Sequence, residues 1–121
     1  MQSKEKKILI VEDNPDIVEF LQDLLEEEGY TLAITDKVQY MEEMHGVNLP
    51  NLILLDVLLS GKDGREIVKH LKNQEETRHI PVIMFSAHPG AEETARKAGA
   101  DDFIAKPFEM DDLLAKIAQC L

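Results

Sequence analysis

Five residues of this chain carry groups that can do chemistry together, and each stands where a short apolar run ends. Glu12 and Asp13 follow Ile8 to Val11, Asp56 follows Leu52 to Leu55, Ser86 follows Pro81 to Phe85, and Lys106 follows Phe103 to Ala105. A carboxylate that interrupts an apolar stretch, as Asp56 does in NLILLDVLLSGKDG, is costly to bury unless something pairs with it. If the ends of these runs meet, three carboxylates converge. Two unit charges about 5 Å apart at an effective dielectric near 20 repel by roughly 3 kcal/mol, and three such pairs rival the stability of a domain. One carboxylate must then protonate, the three must separate, or positive charge must neutralise them. Lys106 supplies one charge. A hard divalent cation is the natural remainder, and Mg2+ suits one or two carboxylates, a backbone carbonyl and water, with positions left for a phosphoryl oxygen. The chemistry expected of such a set is aspartyl phosphorylation. Asp56 is the candidate nucleophile, Mg2+ and Lys106 offset charge on the phosphoryl oxygens, and the Ser86 hydroxyl can donate to one of them after transfer.

The elements that must position these groups are legible as alternating short apolar runs and longer amphipathic stretches. Asn14-Pro15 reads as a cap and first turn for a helix with Ile17, Leu21, Leu24 and Leu25 on one face, stopped by Gly29. Thr31 to Thr35 forms a second run and leads into a weaker helix near Val38 to Met44, whose Met and Tyr residues read as core filling. Beyond Leu52 to Leu55 comes a loop, Ser60-Gly61-Lys62-Asp63-Gly64, and a helix burying Ile67, Val68 and Leu71. A helix near Ala91 to Ala98 ends at Gly99, and the last carries Leu113, Leu114, Ile117 and Leu121. Five strands thus alternate with five helices. Strands without polar alternation belong to a parallel sheet buried on both faces. The fold class is α/β, with helices on both sides and functional groups at the carboxyl ends of the strands. In such sheets the first and third strands are usually neighbours, which brings Glu12 and Asp13 to Asp56.

A length of 121 residues is that of one domain. With 24 acidic against 13 basic residues the formal net charge is −11, which argues against a nonspecific grip on nucleic acid and disfavours an anionic membrane surface. The basic start precedes only four apolar residues, too few for a secretory signal, and no run approaches membrane-spanning length. The lone Cys120 excludes an internal disulfide and fits a reducing compartment. The expected location is cytoplasmic.

Taken together, Glu12-Asp13, Asp56, Asp63-Gly64, Ser86 and Lys106-Pro107 resemble the receiver domains of two-component response regulators, over essentially the whole chain as a single receiver unit, residues 1–121. The resemblance implies a flavodoxin-like, doubly wound five-stranded parallel sheet of order 2-1-3-4-5. It implies that Asp56 is the phosphoacceptor, that Glu12 and Asp13 hold Mg2+ directly or through water, and that the backbone carbonyl of Leu58 completes the protein ligands. Lys106 would pair with the phosphoryl group, its bond to Pro107 would be cis, and Phe103 matches the aromatic switch position. Phosphorylation would draw Ser86 toward Asp56, let Phe103 move inward, and change the surface of the fourth helix, fifth strand and fifth helix. The implied donor is a sensor histidine kinase or histidine phosphotransfer protein, and the implied reader a downstream protein; the same surface is a candidate homodimer contact. No nucleic acid, membrane or small-substrate turnover is implied, although the domain would assist its own phosphorylation and dephosphorylation. Leu59-Ser60 departs from the family's frequent Met-Pro, Phe103 lacks a Tyr hydroxyl, and Leu58 and His88 fall at variable positions that tune the lifetime of the phosphorylated form.

Singly, each residue has an ordinary explanation: Asp56 a turn cap, Asp13 a helix cap, Lys106 a surface lysine, Phe103 core. A phosphatase of the haloacid dehalogenase type would share the Asp nucleophile and Mg2+ but needs a second acid two residues on, where this chain has Leu58. A flavin carrier would need small hydroxyl residues after the first strand, where this chain is acidic. Ser86 with His88 lacks the glycines of a hydrolase nucleophile elbow.

Overall fold

The computed structural model describes residues 6–36, 49–59, 61–88 and 90–121. In chain order the elements are β1 (Lys7–Val11), α1 (Pro15–Glu27), β2 (Thr31–Thr35), β3 (Leu52–Asp56), β4 (Leu58–Leu59), β5 (Lys62–Asp63), α2 (Gly64–Lys72), β6 (Val82–Ser86), α3 (Ala91–Ala98), β7 (Asp102–Ala105) and α4 (Met110–Cys120). Local chemistry sets several of these bounds. Asn14 accepts from the amides of Asp16 and Ile17, and Pro15 occupies the first turn of α1, where its missing N–H costs nothing. Gly99, with φ of 117°, closes α3 in a backbone region that favours glycine.

Five strands form one parallel sheet in the order β2-β1-β3-β6-β7, the flavodoxin-like doubly wound order. Side chains alternate across it with a period of two. Ile8, Ile10, Leu52, Leu54, Ile83, Phe85 and Ile104 pack with α1 and α4 through Leu21, Leu25, Leu113 and Ile117. The intervening Leu9, Val11, Ile53, Leu55, Val82, Met84 and Phe103 pack with α2 and α3 through Ile67, Val68, Leu71, Ala91 and Ala95. The central strand β3 is buried along its whole length, so its last residue, Asp56, is held by a core on both faces.

Three expectations need correction. Of the loop expected over 60–64, Lys62 and Asp63 form β5, which pairs antiparallel with β4, Leu58 with Asp63 and Leu59 with Lys62, and Gly64 opens α2. Strands of two residues are too short to leave a periodic signal. Second, β2 is only partly buried, because it lies at the sheet edge. Third, the last helix stops at Cys120, so Leu121 packs against the core from beyond its end. The described residues contain four helices; the helix expected near Val38 to Met44, like Ser60, lies outside them. No helix among the described residues is long and apolar enough to cross a membrane.

Candidate functional site

Sheet register assembles the site. Val11 pairs with Leu55 and Asp56 with Phe85, so the residue following β1 arrives beside the end of β3. Ser86 pairs with Ala105, and the Lys106 amide donates to the Ser86 carbonyl at 2.8 Å. In the two-residue alternation Glu12, Asp56 and Lys106 continue the columns of Ile10, Leu54 and Ile104 on the α1 and α4 side. Ser86 and Phe103 belong to the alternation on the α2 and α3 side.

The Lys106 ammonium lies 3.0 Å from Asp56 Oδ2 and 3.4 Å from Glu12 Oε1. Glu12 Oε2 accepts from the amides of Asp13 and Asn14 at 3.0 and 3.1 Å, and Asp56 Oδ1 accepts from the Leu58 amide at 3.1 Å. Glu12 is 3% exposed and Asp56 7%. Burial pushes the Glu12 carboxyl up to about 7; the Asn14 amide opposes this, the Asp56 carboxylate beside it adds to it, and Lys106 partly offsets it. Ser86 is buried, its Oγ accepting from the His88 amide at 3.0 Å. Phe103 is already buried, within the cluster that includes Ala91 and Ala95. The Lys106–Pro107 bond is cis.

Of the three carboxylates expected to converge, two share the lysine and Asp13 is exposed. Among the described residues no group of three or more His, Cys, Asp and Glu side chains forms a metal cage. The donor set nevertheless fits a hard cation: two buried carboxylates divide one ammonium, and with Glu12 ionised negative charge is left uncompensated among oxygen donors. Mg2+ characteristically takes one or two carboxylates and keeps waters rather than filling an all-protein cage.

Two groups escaped the sequence. Phe85, read only as strand core, has its ring centroid 5.0 Å from the Lys106 ammonium. Arg65 grips Asp63 with Nε and Nη2 and donates from Nη1 to Thr94 Oγ1 at 2.8 Å, tying the start of α2 to α3. The expectation of a site at the strand ends carried a signal for neither, because both depend on which face each side chain takes. Gly64 has a further structural duty: a Cβ there would collide with the Asp56 carbonyl oxygen and press on Met84 Cε at 3.0 Å.

A family model described as the response regulator receiver domain matches residues 8–118. The chain belongs to this family. This receiver domain is 38% identical over 114 residues to the phosphate regulon transcriptional regulatory protein PhoB of Escherichia coli, covering 93% of this chain and 50% of PhoB. It therefore spans about half the length of that relative. It is 36% identical over 118 residues to the polar-differentiation response regulator DivK of Brucella abortus, covering 96% of each. Among solved structures it resembles the receiver domain of the sensor histidine kinase PA1611 of Pseudomonas aeruginosa, which holds a magnesium ion in its active site cleft. That likeness has a TM-score of 0.82 and 28% identity, and covers 95% of this chain and 96% of the other. The receiver domain is a signalling module of two-component systems.

Proposed function

We propose that this receiver domain takes a phosphoryl group onto Asp56 from a phosphohistidine of a sensor histidine kinase or histidine phosphotransfer protein. The observation that carries the reading is the 3.0 Å ion pair between Lys106 and Asp56 at the carboxyl end of the central strand. An Asp56 oxygen attacks phosphorus; a P–O bond forms, the P–N bond breaks, and the departing imidazole takes up a proton. Lys106 steadies the attacking carboxylate and then faces a phosphoryl oxygen. Ser86 Oγ accepts from the His88 amide, so its own proton can be donated to another. Mg2+, held by Glu12 and Asp13 directly or through water, by Asp56 and by the Leu58 carbonyl, would neutralise charge on the transferring group. The magnesium-bearing PA1611 receiver supports this assignment.

Phosphorylation then acts through Ser86 and Phe103, which share the sheet face that packs on α3. Since Phe103 is already inward, the change falls chiefly on the Ser86 loop and α3. Moving such an element from 1:99 to 99:1 takes about 5.5 kcal/mol of differential interaction. The surface of α3, β7 and α4 controls a downstream protein and is also the homodimer face in this reading. Residues 1–121 act as one receiver unit in the cytoplasm, with no direct nucleic-acid or membrane contact and no turnover of a small substrate beyond assisting their own phosphorylation and dephosphorylation.

The test is incubation with Mg2+ and acetyl phosphate followed by intact mass. The wild type should gain one phosphoryl group and Asp56→Asn none. A wild type that gains none refutes the reading.

A further inference from the structure

We propose that Phe85 is a positioning residue for Lys106, holding the ammonium on its ring face so that it stays within reach of Asp56. The proposal rests on the phosphoacceptor reading above. Phe85 is the register partner of Asp56 on the neighbouring strand and is 1% exposed. Its ring centroid lies 5.0 Å from Lys106 Nζ, inside the range at which the negative face of an aromatic ring attracts a cation. Phe108, two residues beyond Lys106, meets the same ring edge-on, with centroids 6.0 Å apart and planes at 79°. Phe20 of α1 backs Phe108 at 6.0 Å. The residues on either side of Pro107 therefore both contact Phe85, and α1 supports the contact from outside.

A lysine head is a compact charge on a flexible four-carbon stem, and here two carboxylates compete for it at 3.0 and 3.4 Å. Before transfer, the ion pairs alone leave the ammonium divided between Asp56 and Glu12. A ring face beneath it supplies a fixed attraction that does not change when Asp56 does. An aliphatic side chain would fill the same volume with no such face. Lys106 is about 20% exposed, so water competes only in part.

The experiment keeps the shape of Phe85 and drains its negative face. The whole chain is made with 4-fluoro-, 3,5-difluoro- and 3,4,5-trifluorophenylalanine at position 85, alongside Phe85→Leu. Two quantities are read: the initial rate of phosphorylation by acetyl phosphate, and the chemical shift of the Lys106 ε-methylene protons in metal-free protein. In the wild type those protons should show an upfield ring-current displacement that Phe85→Leu abolishes. The rate should fall stepwise along the fluorine series, reaching about fivefold at three fluorines, equivalent to about 1 kcal/mol at 1.4 kcal/mol per tenfold. A rate that ignores the series while Phe85→Leu lowers it makes the ring a space-filler and overturns the proposal, as does a wild type without the displacement. The two readings fail separately. A wild type that takes no phosphoryl group removes the phosphoacceptor reading, and with it the role of Phe85. A phosphorylated wild type with a flat fluorine series overturns the Phe85 proposal alone.

Discussion

The ammonium of Lys106 stands 3.0 Å from Asp56 Oδ2, joining residues 50 apart in the chain. The same ammonium also serves Glu12, 94 residues away at 3.4 Å. Two carboxylates thus share one cation, and the site carries net negative charge whenever Glu12 is ionised. Its pH response and its tolerance of substitution follow from that imbalance and from the tight packing beneath it.

Glu12 makes the metal-free protein less stable as pH rises. Its carboxyl titrates near 7 when folded, against an ordinary value of 4.5. The folded state therefore holds a proton that the unfolded state has already released. The stabilisation is fully present below 4.5 and is lost as pH climbs through about 7. A rise of this size corresponds to about 3 kcal/mol as an upper bound. Urea unfolding in EDTA should show the wild type losing stability relative to Glu12→Gln between pH 4.5 and 7.5. Parallel pH profiles for the two proteins would contradict the assignment.

Gly64→Ala should disturb both stability and phosphorylation. The added methyl has no room: the Asp56 carbonyl oxygen lies in its path and Met84 Cε and Val57 O stand 3.0 Å away. Two of these three neighbours are backbone atoms, which cannot swing aside. Overpacking of this kind costs about 2–3 kcal/mol, and any relief moves the strand end that carries Asp56. Denaturant midpoints and acetyl phosphate rates should fall together; an unchanged midpoint would show that the α2 start yields freely.

Lys72→Met should separate stability from function. Lys72 Nζ donates to the Ile80 carbonyl and the Asp101 carboxylate at 2.8 Å each and to the Arg78 carbonyl at 3.3 Å. Asp101 Oδ2 in turn accepts from the Val82 amide at 2.8 Å. This network pins the entry of β6, opposite the end that bears Ser86. Removing the ammonium leaves its carbonyl and carboxylate partners short of a donor and costs about 1–3 kcal/mol. The thermal midpoint should drop while phosphorylation of the folded protein by acetyl phosphate stays within twofold of wild type; a larger change in rate would mean that the strain travels along β6 to the site.

Legibility differed by element for physical reasons. The start of α1 and the end of α3 were readable because Asn14-Pro15 and Gly99 act on their own backbone. The hairpin of β4 and β5 was not, since two-residue strands carry no periodicity and their pairing depends on the turn between them. The edge character of β2 was equally hidden: Thr31 to Thr35 reads like any other run, and only its place in the sheet exposes it. Among the candidate residues, Glu12, Asp56, Ser86 and Lys106 could be singled out as polar groups ending apolar runs. The difference in burial between Glu12 and its neighbour Asp13 could not.

By itself the sequence determined the apolar runs, the polar residue at the end of each, and the α/β alternation, all of which follow from burial and local backbone chemistry. The tertiary structure decided which of those residues meet. It set Lys106 between Asp56 and Glu12, placed Phe85 beneath the ammonium, and put Ser86 and Phe103 on the other face. Register is the reason: each strand alternates its side chains by twos, and which columns align across β1, β3, β6 and β7 is fixed only when residues distant in the chain bury one another.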